Sequence, residues 1–75
     1  MTALSDLRVG QYASVVAIEG ADEIGIRLLE MGLTPGVELK VIGTAPLGDP
    51  LEIELRGYRL SVRRSEAARV AVRVE

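Results

Sequence analysis

The sequence predicts a small, mainly β barrel of five short strands, with one short α-helix after the first. Glycine, proline and brief β-branched runs recur at close spacing, which is the pattern of a compact all-β domain. Only one segment, near Asp22 to Met31, has helical periodicity. The chain has 75 residues, enough for a single domain that buries roughly 60% of its unfolded surface. With no repeat or linker to divide it, residues 1–75 are read as one domain.

The first strand is expected over Ala13 to Ile18, and the helix follows at about Asp22 to Met31. Its end is written in Leu28-Leu29-Glu30-Met31-Gly32-Leu33. Gly32 stands where a left-handed residue terminates a helix, and Leu33 follows as the apolar residue that packs back on Leu28. Thr34-Pro35-Gly36 then supplies a type II turn, Pro35 fixing the first corner and Gly36 accepting positive φ at the second. The second strand runs from Val37 to Gly43, and the third from Leu51 to Leu55.

The fourth strand, Tyr58 to Arg63, tests itself against the third. A two-residue loop at Arg56-Gly57 sets Leu55 opposite Tyr58, Ile53 opposite Leu60 and Leu51 opposite Val62. This register puts the apolar residues on one core face, Tyr58 included, and pairs Glu54 with Arg59 on the other. Because a type I′ turn prefers Asn or Asp where Arg56 stands, a bulged loop is the alternative. The last strand, Val70 to Val74, turns its valines inward and Ala71, Arg73 and Glu75 outward. Closing these strands into a barrel would hide their edges.

The helix carries two apolar stripes. Ile24, Leu28 and Met31 are expected to face the barrel, while Ile26 and Leu29 share a separate stripe beside Asp22 and Gly25. That second stripe is either covered by the amino-terminal segment around Leu4 and Leu7 or left open to a partner. A second candidate contact is Leu47, at the tip of Gly43-Thr44-Ala45-Pro46-Leu47-Gly48-Asp49-Pro50, a loop restricted by two prolines. Without a lysine after its second glycine, the same loop is no phosphate-binding P-loop.

Chemistry is mostly excluded by what is missing. The chain has no histidine and no cysteine, so the usual nucleophilic dyads and nitrogen or sulfur metal ligands are absent, and we expect no enzyme and no cofactor. Asp22 with Glu23, and Glu52 with Glu54, are the close carboxylate pairs, and a surface pair of this kind would hold a hard divalent ion only weakly. Residues 1–55 carry nine acids and three bases, whereas residues 56–75 carry six arginines and two glutamates. The basic tail reads as charge pairing within the molecule, because no aromatic side chains are interleaved with its arginines to stack on nucleic acid bases. The opening residues lack a signal-peptide pattern, and no apolar run is long enough to span a bilayer. A soluble, cytoplasmic protein without nucleic acid or inserted lipid is therefore expected.

The order of elements resembles the FeoA family, the small cytosolic component of bacterial ferrous-iron uptake. The resemblance rests on Leu28 with Met31-Gly32-Leu33-Thr34-Pro35-Gly36, on Ala45-Pro46-Leu47-Gly48-Asp49-Pro50, and on Tyr58-Arg59-Leu60-Ser61-Val62-Arg63-Arg64-Ser65-Glu66-Ala67. It implies an SH3-like barrel and a non-enzymatic partner of FeoB, the membrane permease with a cytosolic GTPase domain, at whose membrane face the protein would be recruited. Family members tend to carry more basic residues just before the helix leucines, where this chain has Gly25 and Ile26 and keeps only Arg27. The partner contact is therefore expected through Ile26, Arg27, Leu29 and Leu47, with an apolar bias, and self-association through the greasy helix or an open barrel edge is a further expectation. The alternative is the similar carboxyl-terminal domain of iron-dependent transcriptional repressors. Against it, the chain opens at Met1, stops just after its last strand and has no helix-turn-helix.

Overall fold

The computed structural model describes residues 1–75. Six strands make one antiparallel sheet: β1 (Thr2–Ala3), β2 (Tyr12–Ile18), β3 (Glu38–Thr44), β4 (Leu51–Leu55), β5 (Tyr58–Val62) and β6 (Val70–Val74). Their spatial order is β1-β6-β2-β3-β4-β5. Two helices, α1 (Glu23–Glu30) and α2 (Arg64–Ala67), lie outside the sheet, a short 3₁₀ turn covers Leu4–Asp6, and a non-helical turn covers Pro46–Gly48.

The mainly β architecture agrees with expectation, with one strand more than the five foreseen. The added strand is β1, two residues that pair with Val72 and Ala71 of β6. A segment so short has no periodicity to read. Likewise α2 is a single turn, too brief to show a 3.6-residue repeat, yet it buries Glu66 and Ala67.

Curvature comes from two register shifts. Val16 is the extra residue of β2 against β6, and Ile42 the extra residue of β3 against β4. Each shift bends its strand and increases local twist, which rolls the sheet around its apolar face. The rolled sheet encloses sixteen buried apolar residues in one cluster, so a single core serves the whole chain. Leu28 reaches it from α1, Leu33 and Val37 from the turn, and Leu4 and Leu7 from the amino-terminal segment. The roll stops short of closure, since β1 and β5 remain the two ends of the sheet and do not pair. The expected hiding of edges is thus incomplete.

The helix end forms as predicted. The Gly32 amide donates to Leu29 O at 3.0 Å and the Leu33 amide to Leu28 O at 3.2 Å, with Gly32 at φ +109. These two bonds constitute a Schellman motif. At the other end the Asp22 side chain caps α1 by accepting from the Gly25 amide at 3.1 Å. The following turn closes by a 3.1 Å bond from the Val37 amide to Thr34 O, with Gly36 at φ +91.

The β4-β5 register is the one predicted, from Leu51 opposite Val62 to Leu55 opposite Tyr58. Arg56 and Gly57 both have positive φ, +50 and +83, so the loop is a type I′ turn without a bulge. Tyr58, expected in the core, is instead exposed beside the turn, where its hydroxyl donates to Met31 O at 2.8 Å. Val74 is likewise exposed although it lies on the inward face of β6, because the strand runs out past the core.

Candidate functional site

Helix α1 touches the rest of the molecule along a narrow line. Gly25 and Leu28 are its buried residues, and a Cβ on Gly25 would collide with Gly20 O. The backbone therefore sits too close to its neighbour for a side chain there, and the contact line follows Gly25 and Leu28. Met31 is partly buried against the core. Ile24, expected to face the barrel, lies one helical step off this line and is 38% exposed.

Ile26 is 53% exposed and Leu29 41% exposed, so both residues of the second stripe are open, while Ile24 is exposed on the opposite side of the helix. The amino-terminal segment does not cover them. Leu4 and Leu7 are core residues, and the turn that carries Leu4 packs against α2 and β6. The result is a patch of two large aliphatic side chains, Ile26 and Leu29, on an eight-residue helix.

Leu47 is wholly exposed and has φ +71 and ψ +8. The Gly48 amide donates to Ala45 O at 2.9 Å, closing a type II turn in which Pro46 takes the first corner and Leu47 the second. Glycine normally occupies that corner, and a leucine there costs about 1–2 kcal/mol. Arg64 holds the loop from behind: its Nε donates to Gly48 O at 2.5 Å, its amide to Asp49 Oδ1 at 3.0 Å and its Nη1 to Ser5 O at 2.8 Å. An apolar side chain is thus presented to solvent on an ordered support.

Arg27 is not a free cation. Its guanidinium donates to Glu66 Oε2, and the Glu66 Oε1 accepts from the Arg63 amide at 3.4 Å. The Arg27 side chain remains 60% exposed while that of Glu66 is nearly buried. A second ion pair joins Arg69 to Asp22 at 2.5 Å, anchoring the start of α1 beside β6. The Arg69 guanidinium, followed by the Gly25 amide, holds the Asp22 carboxyl below its ordinary value of 3.8. The basic tail is therefore partly spent inside the molecule, as its composition suggests.

The structure brings the base of the Leu47 loop against α1: Arg27, Met31, Pro50, Ser61, Arg63 and Glu66 line one cleft of about 340 Å³. This cleft was not foreseen, because it depends on α2 placing Glu66 under Arg27. The one signal available was Glu66 three residues after Arg63, the spacing of a helix-capping carboxylate. Glu52 and Glu54 lie on the outer face of β4, opposite Ser61 and Arg59, and Lys40 of β3 flanks Glu54. No three carboxylates gather where they could hold a metal ion together. No helix is long and apolar enough to cross a membrane.

Comparison with known proteins agrees with this architecture. The family model described as FeoA domain matches residues 2–74. A fusion of Fe(2+) transport protein A with Fe(2+) transporter FeoB from Porphyromonas gingivalis is 39% identical over 69 residues, 92% of this chain and 8% of the fusion. The chain thus spans a small part of that relative. The solution structure of FeoA from Chlorobium tepidum is 38% identical, with a TM-score of 0.88 over 97% of this chain and 70% of that one. The crystal structure of Stenotrophomonas maltophilia FeoA complexed with zinc, described as an SH3 domain protein, is 32% identical, with a TM-score of 0.84 over 97% and 91% of the two chains. A manganese-dependent transcriptional repressor shares the fold at a TM-score of 0.89, over 99% of this chain and 36% of that one, and at 17% identity shows the fold alone.

Proposed function

The chain belongs to the FeoA domain family, and from that premise we propose that it is a non-enzymatic accessory module of ferrous-iron import that docks on the cytosolic part of a FeoB-type permease. The observation that carries this reading is the Porphyromonas gingivalis relative, in which a domain 39% identical to this chain is named as one polypeptide with FeoB. A covalent fusion keeps two modules at high effective concentration, an arrangement suited to partners that work in contact. Identity of 38% and 32% to FeoA proteins, against 17% to the repressor, favours the transport reading over the regulatory one.

Docking is assigned to Ile26 and Leu29 of α1 and to Leu47 on its turn. Their exposure is the physical support: apolar side chains clustered on a small domain stabilise association when a partner covers them. Arg27 acts at the rim, its charge shared with Glu66. In a cell whose own copy is deleted, the wild-type chain is expected to restore ferrous-iron uptake, and Ile26→Glu with Leu29→Glu to fail while accumulating as a folded protein. Wild-type uptake by that double variant would overturn the assignment of the face.

A further inference from the structure

The sheet ends at β5, and its outer edge is open. The two-residue turn makes Leu55 with Tyr58, Ile53 with Leu60, and Leu51 with Val62 the hydrogen-bonded pairs of the hairpin. The amides and carbonyls of Arg59 and Ser61 therefore point away from β4. No backbone bond from elsewhere in the molecule ends on either residue, and both are exposed. A row of four outward groups is the template that an extended chain uses to join a sheet.

The edge segment itself carries charge of one sign, with Glu52 and Glu54 set one strand further in on β4. Residues 56–64 contain four arginines and no acid. Arg64 is committed to the Leu47 loop and Arg59 lies across from Glu54, but Arg63 forms no ion pair. Ser61 and Arg63 also line the cleft of about 340 Å³ whose wall includes Met31 and Pro50. Backbone donors and acceptors, an unpaired guanidinium and a mostly polar cleft, lined also by the Arg27–Glu66 ion pair, thus adjoin one another.

We propose that the β5 edge receives an extended acidic segment of a partner protein as an added strand. The segment's backbone pairs with Arg59 and Ser61, its carboxylates meet Arg63 and Arg59, and one of its side chains enters the cleft against Met31 and Pro50. A second copy of this chain is the poorer occupant, since two β5 edges side by side would bring their arginines together, and like charges on neighbouring strands are destabilising. The same arginines that guard the edge against self-pairing select an acidic strand. This inference stands independently of the permease reading, because it uses neither the α1 patch nor Leu47.

The test titrates the full chain, isotopically labelled for NMR, with a blocked hexapeptide of alternating Glu and Val. A Lys-Val counterpart and inorganic phosphate serve as separate arms. The expected result is saturable shifts centred on residues 59–63, slowed exchange of the Arg59 and Ser61 amides, and no response to the lysine peptide. Ser61→Pro removes an outward amide without touching the pairing to β4, as edge strands allow, and should weaken binding by roughly tenfold. Arg63→Glu, which leaves the backbone intact, should do so by a similar factor. Unslowed exchange at Arg59 and Ser61, shifts that phosphate alone reproduces, equal binding of the lysine peptide, or wild-type affinity in a folded Ser61→Pro variant would each overturn the proposal.

Discussion

Leu47 separates stability from function within one side chain. Because its φ of +71 suits glycine and its side chain touches nothing, Leu47→Gly relieves the backbone while Gly also raises unfolded-state entropy. We predict a melting temperature equal to or above wild type, together with weaker partner binding; a clear loss of stability would mean that the leucine packs after all. Gly32 is the reverse case. Its φ of +109 and the Tyr58 hydroxyl, with which a Cβ would collide, make Gly32→Val cost about 1–3 kcal/mol by chemical denaturation. Asp22 gives a signed pH dependence. Its folded pKa is lowered by Arg69 and the Gly25 amide, so its contribution is present above its ordinary value of 3.8 and is lost as pH falls through the lower folded value. Asn can still cap the helix but cannot pair with Arg69. The stability difference between wild type and Asp22→Asn should therefore shrink to nothing in strong acid, and a difference independent of pH would show that charge is not its source.

At the scale of elements, the sequence was legible wherever local chemistry and burial agreed. The Schellman end of α1 and the β4-β5 register follow from Gly32-Leu33 and from alternating leucine, isoleucine and valine, because there each local preference points to the same tertiary answer. It misled at Ile24, since helical periodicity locates an apolar face but not how narrow its contact will be, and Gly25 sets the line of approach. It was silent on α2 and on Arg64, whose hydrogen bonds reach residues 15 to 59 positions away. Of the candidate site, Ile26, Leu29 and Leu47 could be singled out, but whether the amino-terminal segment covers the helix stripe, and the pairing of Arg27 with Glu66, needed the fold. The Arg64 contacts carry their own prediction: Arg64→Ala should speed amide exchange at Gly48 and leave the β4-β5 hairpin unchanged. Unchanged exchange in the loop would show that its two prolines suffice to hold it.

For the whole molecule, an incomplete barrel with one shared core leaves three surfaces free of internal duties: the α1 patch, the Leu47 turn and the β5 edge. The core fixes the first two as ordered supports, so binding incurs little cost of ordering. Stability and docking should consequently respond to different substitutions, which is the account's central claim. Its most direct test is calorimetric titration of the chain into its cognate FeoB-type permease held in lipid nanodiscs, repeated with Ile26→Glu plus Leu29→Glu and accompanied by thermal melts of both forms. The account predicts saturable binding by the wild type and none by a double variant that melts as cooperatively as the wild type. Binding of equal affinity by the variant, or no binding by the wild type, would contradict it.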